Sequence, residues 1–347
     1  MNLLAMKTNS SESPLESPSG VCATTESAGL KPVLHSVSYT GIWRGQAKLT
    51  LDQFLVKARQ LGYRHVMLVA KRPHLAPADY DEEARRRLRR RIGELGLEVV
   101  ALAGYTDFTA GLDRTGIPVA EIHASYVGQL ARLARDLGVP LVRVFTGYER
   151  PGIPFDQQWA SVVAGLKLAA HEAARHEVTL IVQNHHDIAL HHDSMLWLLQ
   201  EVDEPNVKAG FDAWAPTLQG LSPADLAEAV YKMAPYLAFT IAADYRRLPR
   251  YKYEPTLVNY IRQETDLVRA VPMGTGIVDY QTFFRALQGI GYHGCVAYEM
   301  CEVLEGGGSE ENLDRTARRF LEYIESSNRN GKDEAGKGMR TCTAESI

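Results

Sequence analysis

The chain has 347 residues, 45% hydrophobic and 23% charged, with a formal net charge of -4 and acidic and basic residues interspersed. A balance that small provides no broad basic field for nucleic acid or an anionic membrane and favours small-molecule chemistry. The four cysteines lack the paired spacing of a disulfide framework or a structural zinc site and fit a reducing cytosol. No apolar run approaches the roughly 20 residues that cross a bilayer, so a soluble cytoplasmic protein without signal peptide or membrane span is expected.

Residues 1 to about 30 are rich in Ser, Thr, Glu and Pro and are expected to form a disordered tail; a second polar tail is expected from 328 to 347, leaving 31–327 as one domain. Between the tails, short β-branched runs alternate with longer helical patterns, and Gly or Pro closes a helix before the next apolar run. The pattern predicts strands from Leu34 to Ser38, His65 to Val69, Glu98 to Leu102, Leu141 to Phe145, Val178 to Val182, Val207 to Phe211, Leu237 to Ile241 and Gly294 to Tyr298. Helices are predicted from Thr50 to Leu61, Tyr80 to Leu95, Ile122 to Leu137, Phe155 to His176, Met195 to Val202, Pro223 to Met233, Tyr280 to Ile290 and Ser309 to Ile324. The six arginines between Arg85 and Arg91 fall on the second of these helices opposite Leu88, Ile92 and Leu95 and read as a solvated face. Eight strand–helix units close into an α/β (β/α)8 barrel, whereas a doubly wound sheet would need a Gly-rich phosphate loop that Gly104 and Gly111 are too sparse to make. The Arg-, Lys- and Tyr-rich stretch from Tyr245 to Tyr253 reads as a loop that could recognise substrate, cover the mouth, meet another subunit or simply lie exposed.

In such a barrel, reactive side chains lie where strands end. Strand one leads to His35, strand two to Lys71 and His74, strand three to Tyr105 and Asp107, and strand four to Thr146, Tyr148 and Glu149. Strand five runs into Gln183, Asn184, His185 and His186, strand six into Asp212 and Trp214, strand seven into Asp244 and strand eight into Glu299. Taken singly, an Asp after a strand caps the next helix and a His is structural more often than not. Asp212 and Glu299 each follow an apolar run, where a carboxylate needs a partner or a cation. One divalent ion on Gln183, Asp212 and Glu299 would satisfy both, with Mn, Mg or Co suiting the oxygen donors and Zn as a further option. On an extended segment His185 and His186 point to opposite sides, and His185 shares the facing of Gln183. His35, His74, Tyr105, Glu149, His186 and Trp214 are candidates to bind substrate, and Glu299, His185 and Asp244 to carry the chemistry. His191 and His192 read as exposed loop residues.

The chain resembles the sugar phosphate isomerase/epimerase family of xylose isomerase-like barrels. The resemblance lies in Leu49 to Gln53 with Leu61-Gly62-Tyr63, in Val182 to His185, in Phe211-Asp212, and above all in Met273-Gly274-Thr275-Gly276-Ile277-Val278-Asp279-Tyr280 followed by Gly291 to Gly294 and Glu299. It implies a metal held by Glu, Asp, His and Glu on strands five to eight. Asp212 and Glu299 match, Gln183 replaces the first Glu, Thr240 or Ile241 stands where the His would be, and Ala215 and Pro216 replace a further His. Family epimerases move a proton between two carboxylates, and Gln183 cannot accept one. The resemblance implies a metal-dependent isomerase or epimerase acting on a small sugar or keto-sugar. A lyase or hydrolase of oxidised sugars, cyclitols or keto-glycosides and a non-catalytic sugar-binding barrel remain as alternatives. No nucleic-acid or membrane partner is expected, and a homo-oligomer stays open.

Overall fold

The computed structural model describes residues 29–114 and 116–341, with side chains described to residue 330. The expected N-terminal tail lies outside the described residues except for Gly29 and Leu30. Eight parallel strands close into a barrel: β1 (Lys31–His35), β2 (His65–Val69), β3 (Glu98–Ala103), β4 (Leu141–Val144), β5 (Thr179–Gln183), β6 (Val207–Asp212), β7 (Leu237–Ala242) and, after an intervening arm, β12 (Cys295–Tyr298). Strand β12 pairs with β7 on one side and β1 on the other, which completes the ring. The surrounding helices are α1 (Leu51–Gln60), α2 (Glu82–Glu94), α3 (Val119–Leu137), α4 (Phe155–Ala174), α5 (His192–Val202), the short α6 (Trp214–Gln219), α7 (Pro223–Met233), α8 (Tyr280–Gly289) and α9 (Glu310–Thr341). The (β/α)8 expectation holds, and no helix among the described residues is long and apolar enough to cross a membrane.

Local chemistry explains where elements begin. Thr50 starts α1 with a capping box: its hydroxyl accepts the Gln53 N–H while the Gln53 side chain accepts the Thr50 N–H. Thr50→Ala is expected to lower unfolding stability by about 1 kcal/mol without altering ligand binding, as read by urea denaturation and calorimetry. On α2 only Ile92 is buried, and Arg86, Arg87 and Arg90 share Glu83 at the surface, so the arginine cluster is the expected solvated face. The first strand ends at His35, three residues before the pattern predicted, because Ser36–Tyr39 turns into a buried 3-10 helix whose first turn is capped by His35 Nδ1. Helix α9 runs past Ile324 to Thr341, and the Asn328 amide bonds both the N–H and the carbonyl of Leu30, fastening that helix to the start of β1.

The stretch after β7 is an arm of two antiparallel ribbons rather than a loop. β8 (Asp244–Leu248) pairs with β11 (Leu267–Val271), and β9 (Tyr251–Glu254) with β10 (Asn259–Arg262). Its base is tied down: Tyr245 is buried against Trp214, and Arg247 donates to the Thr217 and Leu218 carbonyls. Its outer ribbon is exposed, with Tyr253 resting on Tyr260.

The barrel interior is filled by Val33, Met67, Val100, Ala101, Ala103, Ile181, Phe239, Ile241 and Ala297. Side chains alternate along a strand, so the residue two beyond an inward one also faces inward, now at the C-terminal mouth. That step leads from Val33 to His35, from Ala103 to Tyr105, from Ile181 to Gln183 and from Ala297 to Glu299. Arg143 lies in register with Ala103 on one neighbouring strand and Ile181 on the other, which turns a guanidinium into the barrel.

Candidate active site

A cavity of about 400 Å³ opens at the C-terminal mouth. Its polar lining includes Lys71, Tyr105, Arg143, His185, His186 and Glu299, with Phe145 and Tyr148 as apolar walls.

Arg143 organises the floor. Only 2% exposed, it donates from one terminal nitrogen to Gln183 Oε1 at 2.9 Å and lies over the Phe145 ring at 3.8 Å and the Tyr105 ring at 4.9 Å. Its Nε has no hydrogen-bond partner, and no carboxylate lies within ion-pair distance of the guanidinium among the described residues. Lys71, two residues beyond β2, holds its ammonium 3.6 Å from the centre of the same Tyr105 ring. Burial and then the positive charge of Arg143 lower the Lys71 pKa.

The chain of contacts continues from Gln183 Nε2 to Asp212 Oδ2 at 3.1 Å, while Asp212 Oδ1 accepts the Ala215 N–H at 2.9 Å at the start of α6. Asn184 pairs with the Asp212 backbone in both directions, which fixes the end of β6 against β5. Complete burial holds the Asp212 carboxyl well above its usual range, helped by the nearby Glu299 charge and opposed by its hydrogen bonds to Ala215 and Gln183.

Glu299 is 6% exposed, and its N–H bonds the Ala242 carbonyl across to β7. The Cys301 thiol lies 3.6 Å from Oε1, and His35 Nε2 lies 3.9 Å from Oε2. Burial raises the Glu299 pKa, with Arg143 and then Cys301 pulling it back. The His35 Nδ1 accepts the Val37 N–H, leaving the proton of a neutral ring on Nε2 toward Glu299. Burial and the cations Arg143 and Lys71, with His74, keep that ring neutral.

Several expected site residues are placed differently. Asp244 is anchored in the backbone: its carboxylate accepts N–H groups from Tyr245, Gly274, Gly276 and Val278. The glycine-flanked segment is therefore a cradle for Asp244, and a Cβ at Gly276 would run into Asp244 Oδ1 and the Tyr245 carbonyl. Asp244→Ala leaves four donors without their acceptor and is expected to cost about 3 kcal/mol or more in urea denaturation; wild-type stability would contradict this role. His74 is buried on the Leu49 carbonyl at 3.0 Å and packs on Phe54, outside the cavity lining. Glu149 is exposed on the loop after β4, outside the cavity lining. Trp214 packs on His185 and Tyr245 behind the cavity wall.

Both adjacent histidines line the cavity, because residues 184–187 form a turn rather than an extended strand. His186 is sandwiched between Phe145 and Tyr148 with ring centres 4.1 Å from each. Burial first, and then neighbouring charge including Arg143, brings each ring to a pKa of about 4, so both are neutral near pH 7. His192, expected to be exposed, is buried at the first position of α5, and His191 caps that helix. With Asp193 they form, among the described residues, the one group of three His, Cys, Asp or Glu side chains whose donor atoms lie within 4.8 Å of one another, at the start of α5. Asp193 is also 3.3 Å from the Lys232 ammonium.

A divalent ion on Gln183, Asp212 and Glu299 is the test of the metal expectation, and the donors do not fit it. The Gln183 oxygen already accepts a guanidinium hydrogen, and each Asp212 oxygen accepts a hydrogen bond within the fold. A fixed positive charge, bonded to the amide oxygen that would have to ligate, stands among the groups that would have to attract a dication, and Gln183 brings no negative charge of its own.

Sequence reasoning missed Arg143 altogether. Its signal was an arginine inside a four-residue apolar strand, Leu141-Val142-Arg143-Val144, where a charge is costly unless it serves a site.

Among solved structures, the fold is similar to L-ribulose 3-epimerase, at 19% identity and TM-score 0.66 over 88% of this chain and 97% of that one. D-allulose 3-epimerase from Methylomonas sp. is similar at 17% identity and TM-score 0.64, over 87% and 99% of the two chains. The probable 3-DHS dehydratase of petrobactin synthesis from Bacillus anthracis follows at 18% and TM-score 0.63, over 84% and 98%. No curated protein matches the chain. The family profile described as xylose isomerase-like TIM barrel matches residues 55–324, and the chain belongs to that family.

Proposed function

We propose that this protein is a sugar isomerase that shifts a proton between adjacent carbons of a small hydroxy-carbonyl substrate, with Glu299 as its single base. The observation that carries the reading is that Glu299 is the cavity carboxylate with no ion-pair or strong hydrogen-bond partner. The other lining carboxylate, Asp107, is bonded to Arg150. Glu299 takes the proton from the carbon bearing the hydroxyl, and the C–H electron pair moves onto the carbonyl oxygen as an enolate. A proton passes between the two substrate oxygens, and Glu299 returns its own to the former carbonyl carbon. One base serves both steps because the two carbons present the same face. Epimerisation would need a second proton carrier on the opposite face, and Gln183, an amide bonded to Arg143, cannot serve as one.

The same single base also fits elimination of water from a hydroxy-ketone, the chemistry named for the similar dehydratase. Solvent-deuterium exchange measured by NMR across neutral ketoses and keto-acid sugars tests the proposal. Deuterium at the carbon next to the carbonyl together with a shifted carbonyl supports isomerisation, and an unsaturated product supports elimination. No exchange with any of them contradicts proton transfer.

A further inference from the structure

The proposed base leaves open what stabilises the enolate and which substrates enter. Arg143 is a guanidinium buried at the floor of the cavity without a counter-ion, with its Nε unpartnered and one terminal nitrogen on an amide oxygen. Lys71 faces the same cavity, and among the described residues it makes no ion pair, its ammonium resting on the face of Tyr105. Holding a buried cation without an anion costs free energy, and a second cation beside it adds repulsion. Of the two carboxylates that line the cavity, Asp107 is paired with Arg150, and Glu299 contacts Cys301 and His35 rather than either cation. With Asp107 matched by Arg150, two cations face one remaining carboxylate, and the cavity is short of one negative charge.

We propose that Arg143 stands where the family's divalent ion would sit, and that with Lys71 it forms an anion subsite for the carboxylate of a keto-acid sugar. This inference rests on the proton-transfer reading for its chemistry but not for its binding test. The planar guanidinium offers parallel N–H donors that match a carboxylate or the developing enolate oxygen, a task at which arginine is better than lysine.

Titration calorimetry of the full chain with 2-keto-D-gluconate and with D-fructose isolates the carboxylate, because the two share one carbon skeleton and differ at C1. The keto-acid is expected to bind about tenfold or more tightly than fructose, with the preference lost in Arg143→Met and in Lys71→Met. Circular dichroism checks that each variant is folded, and two variants on separate strands guard against one that is not. Equal affinity for the two sugars would overturn the inference, as would a preference that survives both substitutions. Titration with MnCl2 gives an independent readout. No ion dependent on Glu299 is expected, and any binding that Asp193→Ala abolishes belongs to the α5 cluster. Manganese binding that survives Asp193→Ala and is lost in Glu299→Gln would overturn the replacement of metal by arginine. Keto-acid binding without deuterium exchange would sink the isomerase reading alone, whereas exchange on fructose dependent on manganese would sink only this inference.

Discussion

Glu299→Gln is expected to lower the rate of carbon-bound hydrogen exchange by about 10²- to 10⁴-fold, the usual span for a positioned general base, while leaving the barrel folded. The amide preserves the shape beside Cys301 and His35 but cannot take a proton. Two pH signatures accompany the loss. In the wild type the base works when ionised, so exchange should rise with pH through a value above the ordinary glutamate pKa of about 4.3, because burial raises the folded-state pKa. Stability runs the other way. A carboxyl whose pKa is raised on folding contributes stability below its unfolded pKa, and that contribution is lost as pH climbs through the folded one. Glu299→Gln should therefore match or exceed wild-type stability near pH 7, with the gap closing as the pH falls below the raised pKa. A variant that exchanges at the wild-type rate would remove Glu299 from the chemistry.

Arg143→Met is expected to separate activity from stability. Losing a donor aimed at a developing oxyanion typically costs about 10² to 10³ in turnover, and Arg143 is, among the described residues, the buried cation at the barrel floor. The stability change should stay within about 1 kcal/mol, because two effects oppose each other. The Gln183 oxygen loses its donor, at about 1–3 kcal/mol, while the fold is relieved of a buried guanidinium that has no counter-ion. Urea denaturation beside kinetics reads both. A loss of about 3 kcal/mol or more would mark Arg143 as a structural pillar rather than a group held at a cost for function.

The contrast between what the residues revealed and what they hid follows from periodicity. The strands were legible because β-branched runs separated by Gly or Pro are local signals, and seven of the eight begin within one residue of their expected start. Glu299 and Gln183 could be placed at the mouth because each ends an apolar strand, and the inward step from Ala297 and Ile181 confirms their facing. Asp244 was misleading because an acidic residue after a strand looks the same whether it faces substrate or gathers backbone N–H groups. The Gly274 and Gly276 amides that claim it lie about thirty residues away in sequence. The pair His185 and His186 was misjudged because the strand ends at Gln183 and the turn after it swings both rings to the cavity. Arg143 is hidden in the sequence because it rises from within β4 rather than from a strand end, and its facing depends on the neighbouring β3 and β5 registers. The arm after β7 was hidden for a related reason, since antiparallel pairing across Tyr251–Glu254 and Asn259–Arg262 is set by partners rather than by local pattern.

The measurement that tests the account most directly is solvent-deuterium exchange into 2-keto-D-gluconate in the presence of a strong metal chelator. One carboxylate base working beside an arginine predicts that deuterium enters next to the carbonyl at an undiminished rate with the chelator present. Exchange that stops with the chelator and returns on adding manganese, or no exchange under either condition, would contradict it.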